Sequence, residues 1–252
     1  MNVTIIGAGN MGGALAKGWT LADADVHVTV TAKTQRTLDA ISGELPFVSV
    51  TLDNVAAASN ADVVVIAVKP WLVDGVLSQI ADALGNATVV SVAAGARNPR
   101  IDAYVMPNIA AAMCESMTFV EAAPDDATEN RKERVRQVER LFSLVGKVQV
   151  VDTSHMAAGM MMAGCGIAYV MRFLRAMMEG GVEMGFYPKE AQQIAMQTMQ
   201  GAVSLLETSG MHPEVAIDKV TTPGGVTIKG LNELDHAGFN SAVIRCLKAG
   251  LK

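Results

Sequence analysis

Cysteine is scarce in this chain, and nothing in the pattern gives it a chemical task. Cys114, Cys165 and Cys246 are odd in number and widely spaced. That excludes a disulfide framework and a zinc-ribbon pattern, and it suits a reducing compartment. His27, His155, His212 and His236 show no metal-ligand interval, so no metal site is expected. No block of basic residues occurs and the net charge is −5, which leaves no electrostatic footprint for nucleic acid. Charge is sparse overall, at 18% of residues against 50% hydrophobic, a balance that excludes disorder and permits a sizeable core. The most apolar run, 156–171, is interrupted by Gly159, Gly164 and Gly166 and ends at Arg172. It falls short of the ~20 residues that a membrane span needs. The run reads as a buried helix, and no membrane partner is expected. The opening MNVTIIGAG reads as a strand entering a glycine turn rather than a secretory leader, so the expected compartment is the cytoplasm.

What the chain does have is periodicity of two kinds. In the first half, short Val- and Ile-rich runs at 3–6, 26–30, 47–50, 62–68 and 87–93 read as strands of a buried parallel sheet. Helical patterns at 10–21, 34–43, 53–59 and 71–84 separate them, the arrangement of repeated strand–helix units. Further strands are expected near 102–106, 117–121 and 147–151, with a charged helix over 127–146. From about Asp152 the strand pattern stops. Segments 153–181, 188–208, 213–220, 225–236 and 239–249 read as helices punctuated by Gly210, Pro213 and Pro223-Gly224-Gly225. The expected organisation is therefore a sheet domain over 1–151 and a helical domain over 152–252. Most of the methionines fall in the second, where they serve either an ordinary helical core or a subunit interface.

The first strand runs into Gly7, Gly9 and Gly12 in G-x-G-x-x-G spacing and then into a helix. In that context the pattern indicates dinucleotide binding in a doubly wound α/β sheet of Rossmann type. The glycines let the backbone approach a pyrophosphate, and the helix N-terminus favours its charge. The second strand ends in TVTAKTQR with no carboxylate to hold a ribose 2′-hydroxyl. Thr31, Lys33, Thr34 and Arg36 are instead suited to a 2′-phosphate, which favours NADP over NAD. The alternative is that Lys33 and Arg36 are solvated charges. Val68, Lys69 and Pro70 follow the fourth strand and Ala93 lies in SVAAG at the end of the fifth, so both groups border the expected crevice. Lys69 is either a charge near the nicotinamide or a solvated strand-end residue.

The stretch TTPGGVTIKG, 221–230, contains no acid, strong base or metal ligand. Free backbone NH groups at such a helix start can bind a carboxylate, with Thr222 and Thr227 adding hydroxyls. Composition alone equally accommodates a plain turn with helix caps.

Along nearly its whole length the chain resembles the pyrroline-5-carboxylate reductases. The resemblance rests on the Gly7-Ala8-Gly9-Asn10-Met11-Gly12 turn, AVKP, SVAAG, Met106-Pro107-Asn108, GCGIAYV at 164–170 and TTPGGVTIKGL. It implies an N-terminal dinucleotide-binding domain followed by an all-α dimerisation domain, and a homodimer or larger ring. The implied reaction is hydride transfer from NAD(P)H to the cyclic imine 1-pyrroline-5-carboxylate, giving L-proline. Gly224 and Gly225, with Thr222, are then expected to hold the substrate carboxylate and Thr227 to bond the ring nitrogen. Asn10, Met11 and Asn108 join the expected cofactor contacts. A diverged reductase of another small imine or keto acid, or a catalytically silent NAD(P)-binding relative, is the alternative. The chain departs from the family pattern at Ile109, Ala110, Cys165 and Ile167, where the family has Thr, Pro, Ser and Pro. Trp71 replaces a usual Gln, and too few residues lie between SVAAG and MPN for the family's helix.

Overall fold

A computed structural model describes residues 1–22 and 25–251. By their internal contacts these form two compact units, Met1–Cys165 and Gly166–Lys252.

The first unit is an eight-stranded sheet in the order β3-β2-β1-β4-β5-β6-β7-β8. Its strands are β1 (Asn2–Ile6), β2 (His27–Thr31), β3 (Ser49–Thr51), β4 (Val63–Ile66), β5 (Thr88–Ser91), β6 (Ala103–Met106), β7 (Ser116–Glu121) and β8 (Gly146–Val151). The helices between them are α1 (Asn10–Ala22), α2 (Gln35–Glu44), α3 (Asn54–Ala58), α4 (Val73–Ile80) and α5 (Glu129–Ser143). Strand side chains alternate between two cores. Val63 and Val65 join Trp19, Val138 and Phe142 on one face, while Val64 and Ile66 meet Leu77 and Ile80 on the other. That two-sided burial explains the unbroken apolar runs of the central strands. Helix starts are set by short polar side chains: Asp53 accepts from the Val55 and Ala56 NH groups at 2.9 and 3.0 Å, and Thr128 from Arg131 at 3.3 Å.

The sheet is not parallel throughout. β7 runs antiparallel to β6, and β8 runs parallel to β7. The cause lies in residues 107–115, which hold only a 3₁₀ turn, Ile109–Met113, closed by Cys114 in a left-handed conformation at φ 57. A segment so short reverses the chain, whereas a parallel neighbour needs a longer crossover. This turn packs under α1, where a Cβ on Gly18 would collide with the Ala111 carbonyl oxygen.

The helix expected over 153–181 is present, and the apolar run 156–171 within it, expected to be buried, is buried only in part. Helix α6 (Thr153–Gly159), a π-helical turn (Met160–Cys165) and α7 (Gly166–Glu183) together make 31 residues, long and apolar enough to cross a membrane by length and composition. Met156, Gly159, Met161 and Ala163 are buried, but Met162, Val170 and Met171 are exposed. Gly159 is required where it stands, because a Cβ there would press on the Phe119 ring.

The second unit continues with α8 (Pro188–Ser209), α9 (Pro213–Val220), α10 (Val226–His236) and α11 (Phe239–Ala249). Prolines at the first helical position start α8 and α9, and Gly210, at φ 63, ends α8. Helices α7 and α8 meet closely where Gly181 faces Ala191. Among the described residues of this unit only Gly166, Gly181, Ala191 and Ala195 are buried.

Trp19 is wholly buried, stacks edge-on against Phe142 at 5.3 Å and donates its indole NH to the Leu141 carbonyl at 2.9 Å. Trp19→Ala is expected to cost about 3–5 kcal/mol, measured as a lower midpoint in urea unfolding.

Candidate active site

Strand register places the candidate cofactor residues along one edge. Thr31, Ile6, Ile66, Ser91 and Tyr104 are successive partners across β2, β1, β4, β5 and β6. Continuing the β6–β7 register pairs Tyr104 with Glu121, which partners Val151. Immediately beyond this row stand Gly7, Val68-Lys69-Pro70 and Ala93, and Lys33-Thr34 lies past the end of β2. Carboxyl ends of parallel strands are where doubly wound sheets take their ligands.

The glycine turn has the shape of a cradle. Gly7 adopts φ 115, and a Cβ there would stand 2.7 Å from the Ala67 carbonyl oxygen. At Gly12 a Cβ would overlap the Gly7 carbonyl oxygen, so only glycine lets α1 begin this close to β1. Gly9 is different: nothing lies within 4 Å of its Cβ position, so that space is open. Asn10 opens α1 and is exposed, while Met11 packs against the core. A 13-residue helix pointing its N-terminus at open space beside a glycine suits a pyrophosphate. The residues present therefore fit a dinucleotide.

The other candidates differ in how free they are. Thr34 caps α2 by accepting from Thr37 NH at 3.4 Å, and Thr31 is buried against the Asn54 amide at 2.6 Å. Lys33 and Arg36 are exposed and make no ion pair among the described residues. Lys69 is exposed too, and Trp71 beside it is 77% exposed. Ala93 is buried, its NH donated to Ser91 Oγ at 3.3 Å. Asn108 is buried and occupied within the chain: its Oδ1 accepts from Ala110 NH at 3.0 Å and its Nδ2 donates to the Ala163 carbonyl at 3.4 Å.

In the second unit, Thr222-Pro223-Gly224-Gly225 closes a turn in which Gly225 NH donates to the Thr222 carbonyl at 2.9 Å. Pro223 then Gly224 at φ 71 is the pattern of a type II turn, which demands a left-handed third residue. Gly225 caps α10 without a side-chain bond, so the first NH groups of α10 remain available. Thr227, in the first turn of α10, is exposed.

Two groupings were not foreseen from the sequence. Arg97 and Glu121 form an ion pair, and the hydrogen bond from Arg97 to Glu121 raises the guanidinium pKa above its ordinary value against the opposing effect of burial. The second is Asp152-Thr153-Ser154-His155. Ser154 Oγ donates to Asp152 Oδ1 at 2.5 Å and His155 Nδ1 lies 2.8 Å from Oδ2, so Ser, His and Asp come together. It is not a nucleophile assembly, because the serine proton goes to the carboxylate rather than to the far ring nitrogen. Asp152 instead caps α6, accepting from the Ser154 and His155 NH groups. A cavity of about 680 Å³ lined by Asn2, His27, Phe47, Ser49 and Asn60 opens at the opposite edge of the sheet, and no candidate residue lines it.

The geometry defines an α/β dinucleotide-fold oxidoreductase with a helical second unit. Residues 2–95 match the family model described as NADP oxidoreductase, coenzyme F420-dependent, and residues 153–252 match that for pyrroline-5-carboxylate reductase dimerisation. The chain is 33% identical to pyrroline-5-carboxylate reductase 1 of Dictyostelium discoideum over 96% of its length, spanning 47% of that relative. It is also 33% identical to the pyrroline-5-carboxylate reductase of Aquifex aeolicus, over 98% of this chain and 94% of the other. Among solved structures, pyrroline-5-carboxylate reductase from Coxiella burnetii superposes with a TM-score of 0.83 at 27% identity, over 99% of this chain and 95% of the other. The Plasmodium falciparum enzyme with NADP bound gives 0.85 at 22% identity and the same coverage, a likeness of fold. The chain belongs to the pyrroline-5-carboxylate reductase family.

Gly9→Val is expected to leave folding intact, because its side chain enters open space, but to abolish dinucleotide binding. Gly12→Ala is expected to destabilise the fold itself. Thermal melts with and without NADPH separate the two outcomes. Asp152 is held at about 2, mainly by the hydrogen bond from Ser154 and next by that from His155, against 3.8 unperturbed. A depressed carboxylate stabilises the fold above its unfolded value and loses that contribution as pH falls through its folded value. The stability difference between wild type and Asp152→Asn should thus be constant above pH ~4 and shrink towards pH ~2, as read from urea midpoints across that range.

Proposed function

We propose that the chain reduces 1-pyrroline-5-carboxylate to L-proline with NADPH, the closing step of proline synthesis. The observation that carries this reading is the match, along nearly the whole chain, to relatives bearing that enzyme's name. Bound at the sheet edge, the reduced nicotinamide supplies the hydride. Gly7, Gly9, Asn10, Met11 and Gly12 receive the pyrophosphate on the N-terminus of α1. Lys33 and Thr34, with Arg36 near them, receive a 2′-phosphate, and the absence of a carboxylate at the end of β2 favours NADP over NAD. Val68, Lys69, Pro70 and Ala93 border the rest of the cofactor, and Asn108 shapes the loop beside it through its internal bonds.

The substrate requires little acid–base chemistry, since a protonated imine already accepts hydride well. The site has to hold it and favour the charged form, a task of positioning and electrostatics. Gly224 and Gly225 NH groups, with the Thr222 hydroxyl, hold the carboxylate at the start of α10. Thr227 bonds the ring nitrogen. Its hydroxyl does this without a displaced pKa, in keeping with the lack of His or Asp in this stretch.

The helical half, taken from residue 152, acts as a homodimer of its own kind or within a larger ring. Phe186, Ile194, Val203, Leu205, Val243 and Ile244 are exposed on the single chain, an area of apolar side chain that a second copy would cover. Stability then depends on protomer concentration. The compartment read from the sequence is the cytoplasm.

The test is imine-dependent NADPH oxidation by wild type and Thr227→Ala. The variant should lose up to about 10²-fold in kcat and bind NADPH normally. Undiminished turnover by the variant would remove Thr227 from the chemistry. Tight NADPH binding by wild type with no turnover would favour the diverged reading, in which exposed Ile109, and Ile167 in the second unit, have redirected the site.

A further inference from the structure

Residues 92–102 join β5 to β6 with no helix. A crossover between parallel strands ordinarily places one there to cover the sheet. What covers this stretch instead is a set of polar bonds. Tyr104 OH accepts from Asn98 NH at 2.8 Å and donates to the Asn98 carbonyl at 3.1 Å. Asn98 Nδ2 donates to Asp74 at 2.8 Å, tying the segment to α4, and buried Ile101 anchors its end. The Arg97 guanidinium lies 4.0 Å above the Tyr104 ring. Its Nη1 donates to Glu121 Oε1 at 2.8 Å and stands 2.7 Å from Oε2. Thr153, the first residue of α6, donates to the same Oε1 at 2.9 Å.

The Glu121 side chain is only 13% exposed, its Oε2 is buried and receives no well-aligned hydrogen bond, and among the described residues Arg97 is the one cation beside it in an ion pair. A carboxylate in that position without its partner is strongly unfavourable. Tyr104 and Glu121 also belong to the strand row that ends at the ligand edge. Between Ser91 on that row and Arg97 lie only residues 92–96, which include Ala93 and Gly95 at φ 77. Lys33 and Thr34 stand past β2 and the glycine turn past β1, so a cofactor with its 2′-phosphate at the first and its pyrophosphate at the second extends its other end over β4, β5 and β6.

We propose that Arg97, clamped between Tyr104 and Glu121, is a positioning residue that holds segment 92–96 in the shape that receives the nicotinamide end of the cofactor. This rests on the reading of the chain as an NADP-dependent reductase. The clamp takes over the task of the absent helix and fixes the segment to the start of α6 through Thr153.

The full chain is titrated with NADPH and, separately, with adenosine 2′,5′-bisphosphate, which carries only the adenosine end. Wild type is compared with Arg97→Ala, Arg97→Lys, Glu121→Gln and the exchanged pair Arg97→Glu with Glu121→Arg. Arg97→Ala and Glu121→Gln should weaken NADPH between about fivefold and fiftyfold, with the bisphosphate within about twofold of wild type. Arg97→Lys and the exchanged pair should recover part of the loss. NADPH affinity equal to wild type in Arg97→Ala, or an equal loss of both ligands, overturns the proposal. If Arg97→Ala does not fold, the near-isosteric Glu121→Gln carries the same comparison. Wild type that binds NADPH but reduces no imine removes the substrate reading and leaves the clamp measurement intact.

Discussion

The Gly7 carbonyl oxygen leaves no room for a side chain at position 12, and much of the first unit depends on that contact. It allows α1 to begin directly against the end of β1. With α1 so placed, Gly18 can approach the 3₁₀ turn after β6, and Trp19 reaches Phe142 and the Leu141 carbonyl. The same turn leaves the space over Gly9 empty. Fold and ligand cradle are thus set by one local constraint.

The second unit follows a related logic on a smaller scale. The Gly224 conformation, at φ 71, turns the chain into α10 and exposes the helix's first NH groups. On the proposed reading, backbone geometry supplies the donors for the substrate carboxylate, and the Thr222 and Thr227 hydroxyls complete the set. In that reading the NH groups suit the carboxylate, and a substrate that brings its own positive charge needs no strong acid. Among its described residues this unit buries few in the single chain.

Much of this was legible in the sequence because strands and helices carry different periods. All eight strands and the main helices stand within a few residues of where Val, Ile and glycine spacing places them. The reversal at β7 was not legible, since it depends on residues 107–115 being too short for a crossover, and a short apolar strand carries no sign of its direction. The long helix through Thr153–Glu183 was legible to within two residues from the segment 153–181, but the exposure of Met162, Val170 and Met171 within its apolar run was not. The glycine turn and the T-P-G-G turn were readable because only glycine satisfies their backbone. Arg97 and Glu121 were not, because 24 residues separate them and neither belongs to a motif. The missing helix between SVAAG and MPN was the available signal. A sheet face that loses its cover needs something else to hold the loop over it.

The central proposal is that the chain transfers a single hydride from NADPH to a cyclic imine. The most direct test is to incubate the protein with 1-pyrroline-5-carboxylate and NADPH deuterated at the transferring position of the nicotinamide, and to analyse the product by mass spectrometry. The account predicts L-proline carrying one deuterium on the former imine carbon. Saturable NADPH binding with no labelled proline would contradict it.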